Sequence, residues 1–247
     1  MAHFAKSLLK KSADLQRVND WLKAIRSKAS RSKPIREYWK THRERKLHLG
    51  CGSNVLDGWL NTDQFTSEAR VIYLDLTKPF PFPDSSFDYI LAEHTIEHIE
   101  RRDASRMLAE CYRVLRQKGV LRVATPDLPK YLALYGPNPS DIEQQCITDI
   151  GRSWIIPGFH RAVNYTPTAE DYSSTFAIND IFLNYEHRFI YDFELLERMC
   201  RAAGFDRCEK GSAGKSSHAP FNGVETHTSR VEAHLTLTVE ATKSAPV

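Results

Sequence analysis

The sequence has no CxxC pair, no unbroken apolar run of about 18 residues and no apolar stretch of signal-peptide type near its start. Its five cysteines (Cys51, Cys111, Cys146, Cys200, Cys208) are scattered and odd in number, which excludes a zinc knuckle and a disulfide framework and points to reduced thiols. Without a long apolar run, no helix should span a membrane. The expectation from the three absences together is a cytoplasmic protein. Net charge is also scarce, only +3 over 247 residues, and the 41% of hydrophobic residues suffice for one sizeable core.

What charge there is lies unevenly. Residues 1–46 hold fourteen Lys/Arg against four Asp/Glu, a balance of +10 that leaves −7 for the remainder. Leu8, Leu9, Leu15, Val18, Trp21, Leu22 and Ile25 recur at helical spacing among those cations. Residues 1–45 therefore read as a basic helical arm. It either packs on the edge of the following domain, or through residues 1–33 meets a membrane surface or another anionic partner. No nucleic-acid partner is expected, and a homodimer stays open. Pro34 interrupts the pattern, and Tyr38 and Trp39 either cover a ligand or anchor the arm to the core.

From Lys46 the pattern changes. KLHLGCGSNVLDGWLNTD gives a short strand at Leu47–Leu49, a turn at Gly50-Cys51-Gly52 and a second apolar run ending at Asp63. Glycines one residue apart permit positive φ and close approach of the backbone to a ligand. A carboxylate at a strand end beside such a turn can hold a ribose, although a turn or capping role for Asp63 stays open. Further strands follow at Val71–Leu74, Tyr89–Ala92 and Val120–Ala124, with a helix from about Asp103 to Arg116 that Gly119 should stop. The end of the chain adds a helix at 193–203 capped by Gly204, a strand beginning at Phe205 and a last one at Leu235–Ala241. Alternation of strand, turn and helix predicts a doubly wound, mostly parallel sheet whose site lies along its carboxyl edge.

GCGSN, the strand ends at Asp63 and Asp75-Leu76, FPFPDSSFDYI, EHTIEHI and RVLRQKGVLRVATPDL, in this order, resemble class I S-adenosylmethionine-dependent methyltransferases. With HRFIYDFELLERMCRAAGF and GVETH they look most like a small bacterial branch found with polysaccharide or natural-product pathways. The resemblance covers about residues 36–243. It implies a Rossmann-like α/β domain at 46–243 with seven strands, the last antiparallel, and S-adenosyl-L-methionine as cofactor. Gly50, Cys51, Gly52, Asp63, Asp75, Leu76, Glu93 and His94 would then be the cofactor positions, with Asp75 on the adenine amino group and Leu76 on the ring. Only ten residues separate Gly52 from Asp63, against about twenty in a dinucleotide fingerprint, so the first helix should be very short or absent.

Two segments remain. His94-Thr95-Ile96-Glu97-His98 spells HxxEH, a metalloprotease signature, but that reading needs a third ligand and a long helix where Ile99–Asp103 reads as a break. The expectation is no metal, with His94 touching ligand and Glu97 and His98 bracing the loop. Residues 136–190 lose the alternation and are rich in Pro, Asn and aromatics, as suits an inserted acceptor lid; a dimer contact or a small extra core is the plainer account. Tyr165, Tyr172 and Tyr185 would enclose the sulfonium, and His187, where the segment ends, is the first choice for a general base or else a structural histidine. His94 and Tyr172 complete the candidate catalytic set. In the loop at 211–230, Glu225 or His227 either approaches the acceptor or sits on a surface hairpin.

The expected activity is methylation of a hydroxyl or amine on a small molecule or saccharide, fitting a biosynthetic role. Two alternatives stand beside it: an intramolecular cyclase that turns the same cofactor into azetidine-2-carboxylate and methylthioadenosine, and an inactive cofactor-binding scaffold. The short glycine turn disfavours a dehydrogenase.

Overall fold

The computed structural model describes residues 31–65, 68–153 and 173–244. The apolar pattern of residues 8–25 and the aromatics Trp154, Tyr165 and Tyr172 fall outside them. Seven strands form one sheet: β1 (Lys46–Leu49), β2 (Leu60–Asp63), β3 (Val71–Tyr73), β4 (Phe87–Glu93), β5 (Leu115–Pro126), β6 (Arg207–Lys210) and β7 (Thr236–Thr242). Their order is β3-β2-β1-β4-β5-β7-β6. β1 to β5 pair in parallel, and β7 runs antiparallel to both of its neighbours. Parallel strands covered on both faces read as near-continuous apolar runs. That is the case here: Leu47, Leu49, Ile90, Ala92, Leu121 and Val123 join the main core, while Leu91 and Val120 on the other face pack with Trp59 and Phe221.

The helices sit where the apolar spacing puts them. α1 (Ser32–Thr41) buries Ile35 and Tyr38. The Tyr38 hydroxyl accepts from Lys46 N at 2.8 Å and donates toward Lys46 O at 3.0 Å, and Trp39 meets the Phe82 and Phe87 ring edges. Both aromatics therefore anchor α1 at the amino end of the sheet and do not cover a ligand. α2 (Arg101–Val114) buries Ala104, Met107, Leu108, Cys111 and Val114. It ends two residues earlier than its spacing suggests, because Leu115 already pairs with Phe87 in the sheet. Gly119 consequently lies inside β5, where a Cβ would stand 2.8 Å from Arg116 O.

α3 (Leu128–Ala133), which precedes the inserted region, and two helices within it, α4 (Asp141–Ser153) and α5 (Ser174–Leu183), build a small second core. Leu134, Cys146, Ile147 and Ala177 close it against Leu235 at the end of α7 (Arg230–Leu235). α6 (Phe193–Ala203) is capped at its start by the Asp192 carboxylate, which accepts from Leu195 N at 2.8 Å. It stops at Gly204 with φ +112°, where a Cβ would collide with the Tyr112 ring.

Beneath the 211–225 loop, Arg122 of β5 is fully buried. Its guanidinium donates to both Glu225 oxygens at 2.7 and 2.8 Å, to Glu240 at 2.6 Å and to two carbonyls, Ser212 O and Lys215 O. Glu225 is thus a structural counter-ion and not a group that meets an acceptor.

Candidate active site

β1 and β4 are adjacent, and the chain leaves them toward opposite edges of the sheet, so the crevice at their carboxyl ends is the topological switch point. A cavity of about 740 Å³ opens there. The turn after β1 forms one wall, with Gly50 at φ +58° and Gly52 at φ +51°. Gly50 admits no side chain: a Cβ would lie 2.6 Å from Thr95, whose hydroxyl donates to Glu93 O. Gly52 instead faces open space. As the short spacing suggests, no helix separates β1 from β2.

Asp63 ends β2 on the rim of this cavity. Its Oδ2 accepts from Gly52 N at 2.9 Å and its Oδ1 from Phe65 N at 2.7 Å. A carboxylate has roughly four acceptor positions, so about two remain free for a diol. Leu74, Leu76 and Phe65, the last 79% exposed, supply apolar surface beside it. Asp75 does not line the cavity; its Oδ1 is spent on Thr77 N and Thr77 Oγ1 at 2.9 and 2.7 Å. Cys51 is buried, and burial pushes its thiol up to about 12.

Glu93 is also placed differently from its expected role. Its Oε1 accepts from Thr226 N, His227 N and His227 Nδ1 at 2.7, 2.9 and 3.0 Å. Burial alone would raise this carboxyl, but the His227 and Thr226 hydrogen bonds and the His227 charge bring it down to about 2. Glu93 therefore clamps the 224–227 loop onto β4, which leaves it little capacity for a cofactor. The clamp lays the His227 ring against that of His94, centroids 4.1 Å apart.

His94 itself is held at φ +42°, and its Nδ1 donates to Glu97 Oε1 at 3.1 Å. Its Nε2 is buried without a hydrogen-bond partner, and no other such atom among the described residues belongs to a residue of the cavity lining. Burial works to raise the Glu97 carboxyl, yet the His94 hydrogen bond and the neighbouring imidazoles leave it lowered. Thr125 Oγ1 donates to its other oxygen at 3.0 Å. Residues 96–98 form one 3-10 turn rather than the long helix of a metalloprotease.

His187 lies just behind the lining residues Tyr185, Glu186 and Arg188. Its Nδ1 donates to Ile181 O at 2.7 Å, which leaves the lone pair on Nε2, and burial lowers its pKa. The structure thus brings Gly50, Asp63, Leu76 and His94 into one cavity, and sets Asp75, Glu93 and His187 behind it. Sequence reasoning passed over Phe65, Thr95 and Arg188. Thr95 could have been found only by asking what Gly50 must make room for.

Comparison with known proteins adds the following. Residues 60–123, from β2 into β5, match the methyltransferase domain family. No curated protein matches the sequence. A structure of an S-adenosylmethionine-dependent methyltransferase from Archaeoglobus fulgidus shares 13% identity over 88% of this chain and 94% of its own, with a TM-score of 0.45. One from Thermotoga maritima, described as a possible histamine N-methyltransferase, shares 18% over 93% and 96%, with a TM-score of 0.46. A Haemonchus contortus phosphoethanolamine N-methyltransferase solved with S-adenosyl-L-methionine shares 14% over 82% and 49%, with a TM-score of 0.40.

S-adenosylmethionine is the cofactor that the domain match brings with it. The residues fit: a glycine turn with no room for a side chain, a half-satisfied carboxylate beside it, an apolar flank and an unpartnered buried imidazole nitrogen share one cavity.

Proposed function

We propose that the protein is an S-adenosylmethionine-dependent methyltransferase whose acceptor is a hydroxyl or amine of a small molecule or saccharide. The observation that carries this is the Asp63 carboxylate, tied to Gly52 N and facing the cavity with acceptor positions to spare. It would hold the ribose hydroxyls, Gly50 to Gly52 would lie along the amino-acid part, and Leu76 and Phe65 would flank the adenine. The cofactor supplies an electrophilic methyl on a sulfonium. Residues of this chain position the acceptor in line, exclude water and remove one proton. His94 lines the cavity, and Glu97 keeps its Nδ1–H in place, so that its unpartnered Nε2 would be the atom that accepts. Calorimetry with S-adenosylhomocysteine tests the site. Incubation with S-adenosylmethionine alone tests the reaction: methylthioadenosine formed without acceptor would replace methylation by cyclisation.

A further inference from the structure

The HxxEH reading lacks a third ligand in sequence, and the fold supplies one. One carboxylate oxygen of Glu97 and one ring nitrogen from each of His98 and His187 all lie within 4.8 Å of one another. The pairing is built into the backbone: Arg188 N and Phe189 N both donate to Glu97 O, at 2.7 and 3.2 Å, which sets the chain next to His187 on the 3-10 turn. The His98 and His187 rings stand 4.9 Å apart. His94, first in the motif, belongs to the outer layer: it holds Glu97 by its Nδ1, as Thr125 does by its hydroxyl. His187 donates its own Nδ1–H to Ile181 O, so its Nε2 presents a lone pair. Outer hydrogen bonds of this kind orient imidazole and carboxylate ligands in metal sites.

We propose that Glu97, His98 and His187 form a binding site for a divalent transition cation of the zinc type, at the edge of the active-site cavity. Tetrahedral zinc with bonds of about 2.0–2.2 Å sets its ligand atoms about 3.3 Å apart. Atoms already within 4.8 Å of one another need only side-chain rotation to reach that spacing, for which the exposed His98 has room, while Glu97 is fully buried. Two imidazoles and one carboxylate favour a borderline transition ion over Mg²⁺ or Ca²⁺, which prefer oxygen donors alone. Three protein ligands leave a fourth position, and His98 lines the cavity, so that position faces the acceptor. There the ion would coordinate an acceptor oxygen and lower its pKa. That role, unlike the binding itself, rests on the methyl-transfer reading.

The test uses the full chain, stripped with EDTA and dialysed. Zn²⁺ titrated by calorimetry should bind at one site per chain, and Co²⁺ should give absorption bands of tetrahedral intensity. His98→Ala, at an exposed position, and His187→Ala should each weaken Zn²⁺ by about 100-fold or more, and His94→Ala by about 10- to 100-fold, with circular dichroism unchanged. Absence of saturable Zn²⁺ binding, or equal affinity in His98→Ala, overturns the proposal. S-adenosylhomocysteine titrated into the same samples separates the two readings. Nucleoside binding without metal removes the metal site alone, and metal binding without nucleoside removes the cofactor reading and leaves the metal site standing.

Discussion

At the scale of single residues the site is built from groups with one job each. Asp63 divides its carboxylate between two backbone amides and the cavity. Asp63→Ala should therefore weaken S-adenosylhomocysteine by about 1–3 kcal/mol, as when a buried hydrogen bond is lost; unchanged affinity by calorimetry would move the ribose elsewhere. His94→Ala should lower turnover by about 10²–10⁴-fold while leaving nucleoside affinity within a few-fold, once an acceptor is found by screening. Parallel loss of both would make His94 a cofactor contact only. The turn at Gly50 and the strand end at Asp63, which line one cavity, were legible as local elements because a GxG turn and an acidic strand end carry their own spacing. Glu93 and Asp75 misled because a carboxylate at a strand end looks the same in sequence whether it meets a ligand or a backbone amide. Glu93 is spent on a loop 133 residues away, and Asp75 on its own second neighbour.

At the scale of elements, the clamp between β4 and the 224–227 loop is sensitive to pH. Glu93 is held down to about 2, so its contribution is present above the ordinary carboxylate range and is lost as pH falls toward that value. His227 is raised, chiefly by its hydrogen bond to Glu93 against burial, with Glu232 and Glu97 adding charge. Its contribution is complete below the usual histidine range and declines as pH rises through its shifted value. The clamp is therefore tightest between about pH 4.5 and 6.5. The amide protection factors at residues 226–227, exchange rates corrected for the intrinsic pH dependence, should be highest in that window, and Glu93→Gln should flatten the profile. A profile that keeps its shape in the variant would assign the protection to other groups. The Arg122 cluster is a different device. Arg122→Met would leave Glu225 buried and unpaired, at a cost of about 3–5 kcal/mol in urea unfolding. A loss under 1 kcal/mol would mean that water reaches Glu225. Neither device could be read in sequence, since their partners lie about 100 or more residues apart. Local signals fared better: α6 and its Gly204 stop follow directly from apolar spacing and a single glycine.

At the scale of the whole molecule, alternation of strand and helix was enough to anticipate a mostly parallel sheet, while the seven strands and the antiparallel last one, as observed, were what the family resemblance implied. The inserted region was not legible in the same way. Its composition left a lid, a dimer contact or a small extra core open; its described helices α4 and α5 join a second core against α7, and among the described residues its end at Tyr185–Arg188 borders the cavity. Because both sides of that cavity belong to one folded unit, ligand should stabilise the entire chain. S-adenosylhomocysteine at 100 times its dissociation constant should add about 2.7 kcal/mol, or about 5–10 °C in Tm by scanning calorimetry. No shift at saturating ligand would show that the nucleoside does not bind the native fold.

The position of β7 has a consequence for how the chain is made. It is the last strand in chain order, yet it lies between β5 and β6 and pairs with both. During synthesis the first part of a chain folds first, so a sheet of β1 to β5 can assemble while its β5 edge stands open. That edge is Val120–Pro126, seven residues all buried in the finished protein and mostly apolar. An open edge of this kind invites pairing with other chains. Residues 236–242 thus act as the closing piece of a zip: until they emerge, the nascent protein is at its most adhesive, and a ribosome stalled short of them would release an aggregation seed in place of an enzyme.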